Sequence, residues 1–288
     1  MGVGGAGCNA VASSSFESVS ICTAAEHFKR LRTSRRVLLR SEELLFMRDT
    51  PVQTLASIDY EWKDRVAEEI GEADMIFVFT GLGGETGSFV TPVVSQICRK
   101  LSKMVIASVA LPFSVEGIQR KRVALGSLAH AVRTSDLAIT YPNDSLLRIA
   151  PNLPIMNAFG VMDAIMMMPP EEIEKVVTVE DLPILRAMFL PGKHARLGIG
   201  AGKGESRELI AVQEAFASPW FDFDLGGVGA ALVIVSCADP DQRMLDRILD
   251  DVALRVPNAR IGCAGRTDPS LGDKVRVTVL LGRPADVL

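Results

Sequence analysis

The 288-residue chain is 48% hydrophobic and 23% charged, ordinary globular composition with length enough for two modest lobes. Its 31 Lys and Arg against 35 Asp and Glu leave a net charge of −4, which argues against a non-specific nucleic-acid binder or a polybasic membrane binder. No apolar run reaches the roughly 18 residues of a transmembrane segment. The five cysteines have no regular spacing and make no disulfide framework, so a reduced, cytoplasmic protein is expected.

The chain opens on Gly2-Val3-Gly4-Gly5-Ala6-Gly7, where Gly2, Gly4 and Gly7 fit G-x-G-x-x-G. Glycines let a phosphate approach the backbone, and a helix expected from Asn9 onward offers free N–H groups and a positive dipole end. A tight turn is the plain alternative. Such loops normally follow a strand, and only Met1 precedes this one, so the first strand is expected to be missing.

Residues 19–23 read as a buried strand. No carboxylate follows in Cys22-Thr23-Ala24-Ala25 to hold a ribose, which disfavours NAD. A helix is expected over 62–70 and strands over 75–79, 105–109 and 137–140. A second glycine loop, Thr80-Gly81-Leu82-Gly83-Gly84-Glu85-Thr86-Gly87-Ser88, follows the strand at 75–79. Thr91-Pro92 then reads as a helix start. Strands alternating with helices imply a Rossmann-like, mostly parallel sheet, and two glycine loops at strand ends would converge on one crevice.

Residues 154–177 read as a central helix that Pro169-Pro170 would end or kink. Strands at 226–236 and 274–281 around a helix at 242–255 suggest a smaller α+β domain. The organisation expected is a nucleotide-binding domain over 1–153, a central helix region over 154–177 and an α+β domain over 178–288. A third glycine cluster, residues 198–204, lacks P-loop spacing and reads as structural. His27, His130 and His194 have no Cys or acid at metal spacing. Ser14 and Ser34 lack a hydrolase context. Arg30, Arg32, Arg35 and Arg36 read as a solvated face.

Six stretches, the two glycine loops among them, carry a resemblance. Gly2 to Val11 (GVGGAGCNAV) and Gly81 to Ser88 (GLGGETGS) resemble the first phosphate loop and the signature loop of the FtsZ/tubulin family of GTPases. Pro112-Phe113-Ser114-Val115-Glu116-Gly117-Ile118-Gln119-Arg120 and Pro142-Asn143-Asp144-Ser145-Leu146-Leu147 are similar to its PFxxEGxxR and PNDxLL segments. Ala158-Phe159 with Asp163 resembles the start of its central helix, and residues 272–279 its closing strand. The resemblance spans nearly the whole chain and implies the FtsZ/tubulin fold.

It also implies GTP or GDP as ligand. Gly4, Gly5, Gly7, Gly83, Gly84, Thr86 and Gly87 would line the phosphates. Glu116 and Asn143 would face the ribose. Asn9, Phe159 and Asp163 would meet the guanine, with Arg120 near the nucleotide as a cation. Mg²⁺ would come with the nucleotide, not on a set of protein side chains, with Glu85 as a potential ligand. The resemblance further implies self-association into dimers or filaments.

The departures from the family pattern set further expectations. Glu85 replaces a glycine of the signature loop. A carboxylate about 4 Å from a phosphate charge costs on the order of 4 kcal/mol at an effective dielectric of 20, roughly a thousandfold in affinity. The stretch matching the loop near the γ-phosphate, residues 46–54, has no glycine. The family's N-x-D-x-x-D catalytic loop, which acts on the next subunit's nucleotide, is matched only by Thr178-Val179-Glu180-Asp181-Leu182-Pro183. Proline can neither accept a proton nor orient water. Glu180 and Asp181 are the acids left to act in trans, and GTP hydrolysis is expected to be impaired or lost. The linker and C-terminal peptide of bacterial division FtsZ are expected to be absent.

Two function classes follow. One is a divergent FtsZ-like cytoskeletal protein that binds guanine nucleotide. The other is a nucleotide-free scaffold on the same fold, acting in membrane remodelling or on a true FtsZ partner, with another FtsZ-family protein or a membrane-associated adaptor as its partner.

Overall fold

The computed structural model describes residues 1–12, 14–24, 33, 35–49 and 61–284. His27, Arg30, Arg32, Ser34 and residues 50–54 of the glycine-free stretch lie outside the described residues. The chain divides into two compact units, Met1–Met167 and Met168–Leu288.

The first unit is built on a parallel sheet of β1 (Gly2–Val3), β2 (Val19–Cys22), β3 (Arg35–Leu38), β4 (Met75–Gly81), β5 (Met104–Leu111) and β6 (Leu137–Pro142), in the order β3-β2-β1-β4-β5-β6. Runs such as Met104–Leu111, buried almost from end to end, suit a sheet covered on both faces. Helices connect the strands: α1 (Gly4–Ala12), α2 (Ser41–Asp49), α3 (Glu61–Ile70), α4 (Glu85–Lys100), α5 (Ile118–Thr134), the short α6 (Leu146–Ile149) and the start of α7 (Ile155–Val176). Trp62, Val66 and Ile70 repeat at helical spacing on α3 and are all buried, joining Val3, Ile21, Val78 and Val105 in one core.

Three expectations change here. The first glycine loop itself begins as a strand. That strand is only Gly2–Val3, paired in parallel with Ser20 and Ile21 on one side and with Phe79 and Thr80 on the other. The helix after it starts at Gly4 rather than Asn9. Likewise α4 starts at Glu85, not at Thr91-Pro92, and holds Pro92 inside it. Gly87 explains the early start: a Cβ there would run into the Gly81 carbonyl, so only glycine lets the helix's first turn settle onto the end of β4.

The central helix is one element through Pro169 and Pro170. Pro170 has no N–H for the Met166 carbonyl four residues earlier. The buried Ser108 hydroxyl donates to that carbonyl instead, at 3.1 Å, so one of the two lost bonds is replaced from β5.

The second unit contains α8 (Leu182–Phe189), β7 (His194–Gly202), α9 (Arg207–Phe216), β8 (Ala230–Cys237), α10 (Gln242–Arg255), β9 (Arg260–Thr267) and β10 (Val275–Arg283). Strand β10 runs antiparallel between β7 and β8, and β9 runs parallel to β8 at the edge. The glycines at 198–202 lie on β7 within this sheet. A Cβ on Gly198, Gly200 or Gly202 would strike the carbonyl of Ala215, Ala211 or Arg207, so alternate glycines admit α9 against the strand. The strand expected from 226 begins instead at Ala230. Gly226 is held in a 3₁₀ turn by its N–H bond to Asp224 Oδ1 at 3.2 Å. Buried Glu172 at the end of α7 accepts from Arg266 at 2.9 Å and from Ser236 at 3.1 Å, an internal ion pair with its hydrogen bonds satisfied.

Among the described residues, no helix is long and apolar enough to cross a membrane.

Candidate functional site

In a parallel sheet the crevice lies beyond the carboxyl ends of the strands. In the first unit that edge holds an open cleft. Four strand ends contribute to it: Gly4 after β1, Gly81 and Leu82 at β4, Ala110 to Pro112 at β5, and Asn143 after β6. One face of α7 closes it with Phe159, Met162, Asp163 and Met166.

Two helix N-termini border the cleft. On α1 these are Gly4, Gly5 and Ala6; on α4 they are Gly84, Glu85, Thr86 and Gly87. Gly4 has φ +72°, a conformation that favours glycine. Unpaired N–H groups and positive dipole ends at two helix starts make this part of the cleft a natural anion seat. The Thr86 hydroxyl lies 3.3 Å from that of Thr23, which joins the second helix start to the end of β2. Glu85 is exposed in the first turn of α4.

The opposite wall is polar. The Phe113 N–H donates to Glu116 Oε1 at 2.7 Å, and Glu116 Oε2 pairs with Arg120 at 3.1 Å. Asp144 accepts from the Ser114 N–H at 2.8 Å, fixing the turn that carries Glu116. Asn143 is 5% exposed, and its Oδ1 is buried without a hydrogen-bond partner. A buried, unpartnered acceptor costs about 1–3 kcal/mol, so an orphan at a cleft wall marks a place for a donor. Phe159 meets Phe113 edge-on, ring centroids 5.5 Å apart, and remains 37% exposed. Burial raises the Asp163 carboxyl to about 6.

Gly4, Gly5, Gly84, Thr86, Gly87, Glu116, Arg120, Asn143, Phe159 and Asp163 are thus brought to one cleft. Gly7, Asn9 and Gly83 are not among its lining residues. Gly7 is the seat of α1 on β4, since a Cβ there would meet the Phe79 carbonyl. At Gly83, with φ +99°, the Cβ space is taken by Arg120. Asn9 is exposed on α1. Met162 and Met166 also line the cleft, one and two turns beyond Phe159. Their helical spacing from Phe159 was the available signal.

Glu180 and Asp181 do not line this cleft. Asp181 Oδ2 accepts from the Thr178 N–H at 2.9 Å and the Thr178 hydroxyl at 2.8 Å, a capping box for the 3₁₀ turn ahead of α8. Those bonds hold its carboxyl below the ordinary range. Glu180 is exposed beside it. No group of three or more His, Cys, Asp or Glu positioned to hold a metal occurs among the described residues.

Residues 53–151 match the Tubulin/FtsZ family GTPase domain and residues 193–283 the FtsZ family C-terminal domain. Cell division protein FtsZ 1 of Pyrococcus furiosus is 33% identical, over 98% of this chain and 79% of its own length. An FtsZ dimer from M. jannaschii superposes with a TM-score of 0.83 at 28% identity, covering 98% of this chain and 86% of that one. The GDP-bound monomer of CetZ1 from Haloferax volcanii, at 18% identity, shares the fold with a TM-score of 0.76 over 97% of this chain and 92% of its own. By relatedness along nearly its whole length, the chain belongs to the FtsZ family of cell-division cytoskeletal GTPases.

Proposed function

We propose that this chain binds GTP or GDP in the cleft of its first unit and associates with copies of itself, while its GTP hydrolysis is weak or lost. The observation that carries the binding reading is the buried Asn143 Oδ1, an unpartnered acceptor in a cleft flanked by two glycine-rich helix starts. A ribose hydroxyl is a donor of the right kind for it. The helix starts at Gly4-Gly5 and Gly84 to Gly87 offer N–H groups to phosphate oxygens. Asp163 is ionised at neutral pH with a value of about 6, and a carboxylate suits the adjacent ring N–H and amino donors of guanine. Phe159 offers a partly exposed ring for stacking. Arg120 brings positive charge, and Glu116, already accepting from Phe113 and Arg120, keeps lone pairs for the sugar. Mg²⁺ would accompany the phosphates and offset the charge of Glu85. The residues present therefore fit the nucleotide.

Support for self-association comes from the family and from the dimer formed by the M. jannaschii relative. Weak hydrolysis is supported by the commitment of Asp181 to its capping box and by Pro183 in the first turn of α8. Glu180 is then the acid left to orient water in a neighbouring subunit's site.

Glu85 favours a second reading. Its carboxylate stands at the helix start where a phosphate would bind, as a nucleotide-free scaffold of membrane remodelling or of a true FtsZ partner would tolerate. Titration with fluorescent GDP, followed by GTP turnover in Mg²⁺ across protein concentrations, separates these readings. One nucleotide per chain with flat, near-zero turnover is expected. Specific activity that climbs steeply with concentration overturns lost hydrolysis, and absence of binding favours the scaffold.

A further inference from the structure

Behind the first glycine loop, Cys8 on α1 and Cys22 at the end of β2 pack against each other and Ala12 in a small cluster of their own. Cys8 is fully buried and Cys22 is 3% exposed. Cys8 Sγ lies 3.6 Å from the carbonyl oxygen of Ile21, the residue before Cys22. A second contact, 3.4 Å to the Gly2 carbonyl, holds the thiol between β1 and β2. Cys22 Sγ in turn lies 3.5 Å from the Ala24 carbonyl.

Their contact divides their chemistry. Burial alone raises a thiol: Cys98 is pushed up to about 12 and Cys263 to about 11. Cys8 also rises, chiefly through its contact with Cys22. Cys22 moves the other way, lowered to about 7 by the same contact. One member of the packed pair therefore gives up its proton more readily than the other, the division that thiol oxidation needs.

We propose that Cys8 and Cys22 are a redox modification site, a dithiol that a peroxide closes to a disulfide and a small thiol reopens. The Cys22 thiolate attacks one oxygen of hydrogen peroxide. The O–O bond breaks, a sulfenic acid forms on Cys22 and hydroxide leaves. Cys8 sulfur then attacks Cys22 sulfur. The S–S bond forms, the S–O bond breaks, and the departing hydroxide takes the Cys8 proton as water. The two thiols lose two electrons, and peroxide is reduced to water.

The pair sits where closure reaches the cleft. Cys8 is on the helix whose first residues, Gly4 and Gly5, border it. Cys22 is followed by Thr23, whose hydroxyl meets that of Thr86 on the other helix start. The disulfide draws α1 and the end of β2 together and displaces backbone donors at the phosphate end. This consequence rests on the nucleotide reading above, whereas formation of the disulfide does not.

The test uses the full chain, reduced and then treated with hydrogen peroxide. It is unfolded in N-ethylmaleimide, digested with trypsin, which leaves both cysteines in the peptide ending at Lys29, and cut after Glu17. The expected result is two halves joined by a disulfide, with Cys98, Cys237 and Cys263 alkylated, and full alkylation of Cys8 and Cys22 once dithiothreitol is added. Cys8→Ser should leave Cys22 as sulfenic or sulfinic acid. Two free thiols after peroxide, or sulfinic acid on wild-type Cys22 beside a free Cys8, overturns the site. On the disulfide form, fluorescent GDP should bind about tenfold more weakly, the worth of one hydrogen bond to a charged group. A disulfide that forms without changing affinity overturns the coupling. Reduced protein that binds no GDP defeats the nucleotide reading and leaves the mass result to decide the disulfide alone.

Discussion

Two glycine runs in this protein look alike on paper and differ in what fills the space a side chain would take. At Gly198, Gly200 and Gly202 that space belongs to backbone carbonyls of α9. At Gly84 the nearest atom to an added Cβ is Arg120 Nη2, at 3.8 Å, and the residue borders an open cleft. Glycine at the first place serves packing; at the second it leaves a backbone bare toward the cleft. Gly87 combines both, since it seats α4 on β4 and also borders the cleft. A glycine pattern therefore marks close approach, and only the surroundings say whether protein or ligand is the thing that approaches.

The largest effect expected from this contrast is at Gly202. Gly202→Ala places a Cβ into the Arg207 carbonyl, and because both sides are backbone the clash has no easy relief. A loss above about 4 kcal/mol is expected, read as a collapse of the denaturation midpoint. Gly84→Ala, at φ −92° with open space around it, should leave that midpoint unchanged and weaken GDP binding. Equal losses of stability in both variants would break the comparison.

Next comes Glu85→Gly. If the carboxylate stands near phosphate charge, its removal should tighten GTP by up to about a thousandfold, the equivalent of about 4 kcal/mol, measured by competition against fluorescent GDP. The Glu85→Gly protein itself should be slightly less stable, because an acid is lost from the positive end of α4. GTP binding that is unchanged or weaker would place the carboxylate away from the phosphates or on Mg²⁺.

Asp163→Asn should separate function from stability at one residue. Burial raises the folded value from 3.8 to about 6, so the charged form costs the folded state free energy. That cost is absent below about 4, grows as pH rises, and is full above about 6. Removing the charge should stabilise the unliganded protein by about 1–3 kcal/mol at pH 7, and by progressively less toward pH 4. Guanine affinity should fall by about a hundredfold or more, because an amide presents one acceptor where the carboxylate presents two. Wild-type affinity should weaken as pH drops through about 6. Chemical denaturation and GDP titration across pH 4–8 check both halves.

What the sequence disclosed follows the same physical line. Strands β4, β5 and β6, the buried stripe of α3 and the whole of α10 were legible because periodicity and apolar runs are local properties. Ten of the thirteen positions that the FtsZ/tubulin resemblance implied line one cleft, whereas the two glycine loops were legible on their own as loops that close strand ends. Other features depended on distant groups. Pro169 and Pro170 read as an end or a kink, and nothing local shows that Ser108, some sixty residues earlier, would supply a bond to the Met166 carbonyl. Strand β9, Arg260–Thr267, has no apolar run and only partial burial, so it lacks the signal that a strand detector uses. Strand β7 was hidden by its own glycines, which read as structural but weaken the strand pattern until α9 is seen against them. Asn9 and Gly83 share motifs with true lining residues, yet neither borders the cleft.

The smallest expected effect is also the one that bears on chemistry. Asp181 accepts two hydrogen bonds from Thr178, and these hold its carboxyl below its ordinary value. A depressed acid stabilises the fold above its unfolded value, and that contribution disappears as pH falls through the lower, folded one. Asp181→Ala should therefore be slightly less stable than wild type at neutral pH, and the difference should close in strong acid. If the carboxylate is only a cap, any GTP turnover will survive Asp181→Ala and respond instead to Glu180→Gln, mixed with wild-type chains to reveal action in trans. Turnover that vanishes in Asp181→Ala while the denaturation curve stays put would mean the capping bonds are released when subunits meet, and that the acid then acts on a neighbour's nucleotide.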